Sequence, residues 1–171
     1  MAFLAIDFET ADYGRDSACA IGLVRADKSG LISQSSFLIR PPRRDFVFTY
    51  IHGITWEDVS MKPTFGELWP QLRPLFEDVE FVAAHNASFD EGVLRACCAG
   101  ASIRQPEAPF RCTMRLARQV WGIYPTRLPD VCHRLGIPLN HHEALSDTIA
   151  CASIMVAALQ MEGGRRRSPQ T

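Results

Sequence analysis

The chain has 171 residues, of which 47% are hydrophobic, and its formal net charge is −1 at pH 7. This length suits one domain that buries roughly 70% of its unfolded surface, and the composition is that of an ordinary globular protein. Proteins dedicated to duplex DNA usually carry a basic excess, which this chain lacks. The start of the sequence has no basic signal-peptide segment, and no apolar run approaches the roughly 20 residues that span a bilayer. We therefore expect a cytoplasmic protein.

Two carboxylates follow the first apolar run of the chain. Residues 3–6 are apolar and are followed by Asp7, Phe8, Glu9 and Thr10. In a strand, alternate side chains share a face, so the sequence predicts that Asp7 and Glu9 point the same way. By itself such a pair is more often the solvent-facing end of a strand. Two other acidic segments in the chain favour a catalytic role for this pair.

The second acidic segment follows another apolar run, residues 81–84, and reads His-Asn-Ala-Ser-Phe-Asp from His85 to Asp90. Ser88 and Glu91 form a capping-box pattern, which predicts a helix start and places Asp90 in the first turn. Asp90 therefore lies near the end of a strand, where open α/β sheets bind their ligands.

The third acidic segment contains His142 and, five positions later, Asp147. A long apolar helix is predicted from about Leu145 to Met161, so Asp147 lies on its first turns and His142 on the loop before it. His141 is the main alternative to His142, because a shift of one residue would exchange them.

Four converging carboxylates need a counter-charge. Two like charges about 4 Å apart repel by roughly 4 kcal/mol at an effective dielectric constant near 20. Carboxylate oxygens are hard ligands that suit Mg²⁺ or Mn²⁺, and two such ions about 3.5–4 Å apart are a known arrangement for phosphodiester hydrolysis. A histidine, with an unperturbed pKa near 6.5, can accept a proton from an attacking water at neutral pH. His142 is the predicted base.

Together the three segments resemble those of the DEDDh 3′–5′ exonucleases, a family of the ribonuclease H-like superfamily that includes the epsilon subunit of bacterial DNA polymerase III. The resemblance covers roughly residues 2–160 and includes a His-Gly-Ile segment within residues 51–55. The tyrosine subclass has Tyr four residues before the last acid. Position 143 is Glu, so the histidine subclass is implied.

The resemblance implies a role for each matching residue. Asp7, Glu9 and Asp147 become metal ligands, Asp90 completes the metal site, and His142 becomes the general base. Substrate binding falls to four residues, of which the last is a supporting hydrogen-bonding residue: Thr10, His52, Phe89 and Asn86. The implied reaction removes nucleoside 5′-monophosphates from the 3′ end of single-stranded nucleic acid, DNA being favoured, with two Mg²⁺ or Mn²⁺ ions.

The remaining sequence predicts an α/β fold. Two strands, 18–24 and 31–40, are joined by turn residues 27–30 and form an antiparallel meander with the first strand. Thr64 and Glu67 form a capping box before a helix to about residue 76, which Pro70 and Pro74 should kink. The resemblance implies a ribonuclease H-like sheet in which this meander is joined by parallel strands and flanked by helices. We expect an exonuclease domain over residues 1–162 and a disordered, arginine-containing tail over 163–171.

Two other functions are compatible with the same residues. One is an RNA-trimming or oligoribonuclease-like enzyme, because spacing alone does not show whether the site accepts a 2′-hydroxyl group. The other is a non-catalytic module that binds nucleic acid or a polymerase. A DNA polymerase or a repair protein is a candidate partner of the protein, and the sequence leaves the oligomeric state open.

Overall fold

A mixed five-stranded sheet, in the order β3-β2-β1-β4-β5, forms the centre of the molecule. The computed structural model describes residues 2–165, with side chains to residue 161. The first three strands are antiparallel, whereas β4 and β5 run parallel to β1. The strands are β1 (Ala2–Thr10), β2 (Ala18–Asp27), β3 (Gly30–Leu38), β4 (Val82–Ala84) and β5 (Phe110–Cys112).

Helices flank this sheet and connect its parallel strands. They are α1 (Thr49–His52), α2 (Trp56–Val59), α3 (Phe65–Leu72), α4 (Ala87–Gly100), α5 (Thr113–Trp121), α6 (Leu128–Leu135) and α7 (Ala144–Arg165), and a 3₁₀ turn covers Arg73–Phe76. The predicted α/β fold with a meander and parallel strands is confirmed.

The two faces of β1 explain where its acids point. Leu4 and Ile6 pack into a core with α3 and α4, whereas Phe3 and Ala5 pack into a second core with α7. Because side chains alternate along a strand, Asp7 continues the row of Phe3 and Ala5. Asp7 therefore points toward α7, the helix that carries Asp147.

Helix α7 lies unusually close to β2, and Gly22 makes this approach possible. A methyl group at residue 22 would overlap the carbonyl oxygen of Ala144 and the hydroxyl group of Thr148. By length and composition, the segment Ala144–Met161 is apolar enough to cross a membrane, contrary to our expectation from the sequence. More than half of that segment is buried, which identifies it as a core helix of this domain.

Two predicted helix starts have different outcomes. Thr64 and Glu67 form the predicted capping box, and α3 gives way to the 3₁₀ turn near its prolines. The predicted capping box of Ser88 and Glu91 is wrong, because α4 begins at Ala87 after Asn86. Asn86 has left-handed backbone angles (φ 65°, ψ 50°), which asparagine tolerates better than most residues.

The predicted boundary near residue 162 falls within α7, which continues through the first three residues of the predicted tail to Arg165. The other residues of that tail, 166–171, lie outside the described part of the chain. The assignment of 1–162 as the exonuclease domain stays a prediction.

Candidate active site

Carboxylates from two elements meet at the end of β1. One oxygen from each of Asp7, Glu9 and Asp147 lies within 4.8 Å of the others. The first two come from β1 and the third from the first turns of α7. Residues 140 positions apart in the sequence thus form one cluster, because α7 covers the face of β1 to which Asp7 points.

Asp90 completes the acidic cluster from the first turn of α4. Its side chain is buried, and its Oδ1 accepts a hydrogen bond from the backbone N–H of Phe8 at 3.0 Å. Burial raises the pKa of Asp90 to about 7, while backbone hydrogen bonds and the charge of Arg15 act in the opposite direction. The bond to Phe8 fixes α4 to β1 between the two acids of that strand.

The two oxygens of Asp147 differ in their contacts. Oδ2 lies 2.8 Å from Nδ1 of His141 and accepts the backbone N–H of His142 at 3.2 Å. Oδ1 is buried and has no hydrogen-bond partner among the described residues. Buried carboxylate oxygens are usually paired, so an oxygen left free in an acidic cluster is suited to a cation.

Burial raises the pKa of these acids, and repulsion by the neighbouring acids adds to the rise for Asp7 and Glu9. Burial is the largest cause for each; the pKa of Asp7 rises well above its usual value, and that of Glu9 rises to about 8. The pKa of Asp147 is also raised, although His141 opposes the shift. Such a cluster binds protons unless a cation neutralises it. Its all-oxygen donors fit hard divalent ions such as Mg²⁺ or Mn²⁺.

His141 and His142 form a stacked pair at the edge of the cluster. Their ring centroids are 3.7 Å apart, and both side chains are exposed. His142 has a left-handed backbone with φ of 70°, which its N–H bond to Asp147 supports. Burial and the neighbouring His141 lower the pKa of His142. This direction favours the neutral ring, which is the form that can accept a proton.

A pocket of about 240 Å³ adjoins Glu9. Three of the residues predicted to bind substrate, Thr10, His52 and Phe89, line it together. The His52 ring is fixed by the backbone: Nδ1 accepts the N–H of Ile54 at 3.1 Å, which leaves Nε2 to donate to the carbonyl of Thr10 at 3.1 Å. With both nitrogens engaged, His52 contributes its ring surface to the pocket.

The model of the exonuclease family, described as RNase_T, matches residues 4–155. The chain belongs to this family. Exodeoxyribonuclease 10 of Escherichia coli K12 is 32% identical over 144 residues, which cover 78% of this chain and 58% of that enzyme. DNA polymerase III PolC-type of Thermotoga maritima is 30% identical over 163 residues, covering 93% of this chain but 12% of the polymerase. The chain thus spans less than two thirds of either relative.

A solved structure supports the same assignment. Exonuclease X in complex with 5′ overhanging duplex DNA superposes with a TM-score of 0.77 at 25% sequence identity, covering 94% of this chain and 93% of that one. The resemblance to DEDDh 3′–5′ exonucleases seen in the sequence is confirmed. Members of this exonuclease family generally use divalent metal ions, which agrees with the donor atoms of the cluster.

The structure also shows what the sequence did not reveal about this exonuclease site. Phe48 and Ile51 line the pocket, although they lie in a stretch without a readable strand or helix pattern. Asn86, predicted to support substrate binding, does not line that pocket; its side chain is exposed and accepts a hydrogen bond from Ser88 at 3.4 Å. Its backbone conformation gives it a structural reason to be asparagine.

Proposed function

We propose that this exonuclease removes nucleoside 5′-monophosphates one at a time from the 3′ end of single-stranded DNA. The observation that carries the proposal is the free, buried Oδ1 of Asp147, which lies in a cluster with Asp7 and Glu9. The neighbouring pocket, lined by Thr10, His52 and several phenylalanine side chains among others, is suited to a terminal nucleotide. DNA is favoured as substrate because the Escherichia coli relative is named an exodeoxyribonuclease.

Asp7, Glu9 and Asp147 would hold two divalent ions, and Asp90 would complete their surroundings while it keeps α4 fixed to β1. When bound, such ions lower the pKa of water and stabilise the negative charge of the leaving oxygen. The acids would thus hold positive charge next to the phosphodiester bond that breaks.

His142 would accept the proton of the attacking water at its exposed ring. The water oxygen forms a bond to phosphorus with inversion, and the bond from phosphorus to the 3′ oxygen of the preceding nucleotide breaks. The products are a nucleoside 5′-monophosphate and a strand shortened by one residue. Thr10, His52 and Phe89 would orient the departing nucleotide, since accurate placement of reacting groups contributes much of enzymatic rate enhancement.

The direct test uses end-labelled oligonucleotides. Single-stranded DNA, duplex DNA and matched RNA are incubated with Mg²⁺, Mn²⁺ or EDTA, and the products are separated by size. We expect stepwise shortening of single-stranded DNA from the 3′ end, dependent on the divalent ion. Faster shortening of RNA would indicate the exoribonuclease alternative. Strand binding without any shortening would indicate a non-catalytic module.

The identity of the base is tested by comparing His142→Ala with His141→Ala. His142→Ala should lower kcat by about a hundredfold or more, the usual contribution of a general base, while metal binding changes little. His141→Ala removes the ring that contacts Asp147. This second variant should weaken metal binding and be rescued in part by a higher ion concentration. The reverse result would assign the base to His141.

The relation to a PolC-type polymerase favours a second setting for the same reaction. A domain that serves a polymerase meets primer ends, and a mispaired end frays more easily than a paired one. We propose that a mismatched 3′ terminus on duplex DNA is shortened faster than a matched one. Equal rates on both ends would favour an independent role in repair or turnover of single strands. In either setting we expect action in the cytoplasm.

A further inference from the structure

Arg15, in the loop between β1 and β2 (residues 11–17), contacts the first turn of α4. Arg15 donates a hydrogen bond from its guanidinium Nη1 to the carbonyl oxygen of Phe89 at 2.9 Å. Its Cζ atom lies 5.3 Å from the centroid of the Phe89 ring. One arginine thus contacts both the backbone and the ring of the pocket residue that precedes Asp90.

Gly92, one turn along α4, provides the surface on which Arg15 lies. A methyl group at residue 92 would come within 2.6 Å of the guanidinium Nη1 and 3.0 Å of Cδ and Cζ. Arg15 therefore occupies the space that any other residue at position 92 would need. Glycine is costly inside a helix, by roughly 0.5–1 kcal/mol relative to alanine, so this close approach comes at the expense of helix stability.

The 11–17 loop is itself held in place. Arg43 contacts Asp12 at 2.9 Å and Asp16 at 2.6 Å. The buried hydroxyl group of Ser17 lies 3.0 Å from the carbonyl oxygen of Asp12 and 2.6 Å from that of Gly14. These bonds restrict the motion of the loop, so the backbone that carries Arg15 is held in a fixed position next to α4.

We propose that Arg15 is a positioning residue, which holds Phe89 in the orientation in which this side chain forms a wall of the nucleotide pocket. The inference rests on the proposed function of that pocket. A free phenylalanine ring at a pocket edge would lose rotational freedom when a nucleotide binds, and this loss weakens binding. Arg15 removes that cost in advance, because it fixes the ring in the free protein. Its effect is therefore on substrate affinity and not on the chemical step.

The test compares Arg15→Ala with Gly92→Ala and the double variant. Both single changes should raise KM about fivefold to tenfold, as expected for the loss of one charged hydrogen bond and one cation–π contact, with kcat changed less than twofold. Because the displaced atoms of Arg15 end a flexible side chain, Gly92→Ala should preserve the fold and leave Tm equal or higher. The double variant should be no worse than either single one, since both act through the same contact.

Two controls separate this role from charge and from stability. Arg15→Lys keeps the charge but loses the planar group, and it should not restore KM. Arg95→Ala removes an exposed arginine one turn further along α4 that forms no ion pair with any side chain among residues 2–161, and KM should be unchanged. Additive effects in the double variant, or a normal KM in Arg15→Ala, would overturn the proposal.

Affinity is also measured without turnover, by fluorescence anisotropy of a 5′-labelled single-stranded oligonucleotide with phosphorothioate linkages at its 3′ end. Kd should follow the same pattern as KM. If the wild-type protein binds the strand but does not shorten it, the proposed function fails, and the Kd pattern still decides the role of Arg15. If it neither binds nor shortens the strand, both proposals are overturned.

Discussion

Two groups of aspartates, one in the 11–17 loop and one where β1 meets α7, are opposites in electrostatic terms. Asp12 and Asp16 share one arginine, and hydrogen bonds from Arg43 lower the pKa of both. Asp7 and Asp147 lie in a cluster of acids, and no lysine or arginine among residues 2–161 forms an ion pair with either of them. Burial raises the pKa of both. The first group is satisfied by the chain itself. The second is suited to a cation from outside the chain, and the catalytic use that we propose for it contrasts with the structural use of the first.

The largest effect should come from replacing an acid of the cluster. Asp147→Asn removes a ligand charge and should lower kcat by about a thousandfold or more, because charge stabilisation at a reacting phosphoryl group contributes several kcal/mol. The metal-free protein should be as stable as wild type or more so, since one repulsive charge is lost. Asp12→Asn is the matched control: it should retain kcat and lose stability. Near-normal turnover of Asp147→Asn would refute the site assignment.

The acidic cluster can also be disrupted from β2. Gly22→Ala forces α7 away from the sheet and should lower the free energy of unfolding by about 2–4 kcal/mol, with a further loss of activity as Asp147 moves. Gly100→Ala, at a position with no heavy atom within 4 Å of the added carbon, is the control. Thermal denaturation of the two variants measures the difference. Equal Tm values would show that α7 can shift without cost.

The two groups should respond to pH in opposite directions. In EDTA, the raised pKa values of Glu9 (about 8) and Asp90 (about 7) mean that the folded protein holds more protons than the unfolded chain. Stability from this cluster is therefore greatest in mild acid and is lost as pH rises through 7 to 8. The lowered pKa values of Asp12 and Asp16 act in strong acid, where their stabilisation is lost as pH falls.

Divalent ions should cancel the loss of stability that the acidic cluster causes as pH rises. An ion at one hundred times its Kd should stabilise the protein by about 2.7 kcal/mol, and the gain should be larger at pH 8 than at pH 6 because ions compete with protons for the cluster. Thermal denaturation at both pH values, with and without Mg²⁺ or Mn²⁺, measures it. A gain independent of pH would indicate binding elsewhere.

The smallest effect on stability and activity should come from changing Arg43, which pairs with Asp12 and Asp16. Arg43→Met should lower the free energy of unfolding by about 1 kcal/mol, because the pairs are partly exposed and screened. It should raise KM modestly if the 11–17 loop holds Arg15 in place. A change in kcat without a change in KM would contradict that role.

The sequence predicted those features that depend on regular spacing of residues along a strand or a helix. Alternation along β1 predicted the shared direction of Asp7 and Glu9, and the position of Asp90 in a first turn survived the wrong capping residue, because the helix began within one residue of the expected start. Contacts across the fold could not be predicted in this way. The position of Arg15 against Gly92 depends on how a loop and a helix pack, and neither residue belongs to a recognisable pattern. The different contacts that His141 and His142 make with Asp147 likewise involve a left-handed backbone at His142, which spacing does not reveal.

Asp147 fastens the 140–143 loop with one oxygen and keeps the other free. In the proposed site, ion uptake and the order of this loop would share one side chain, and thermodynamic linkage makes any coupling between them reciprocal. We expect bound ions to slow the cleavage of this loop by a protease. A ligand that orders the histidine pair should raise the affinity for the ions, by the same factor as the ions raise the affinity for that ligand. The enzyme would then assemble its reactive state only when cation and strand end are present together.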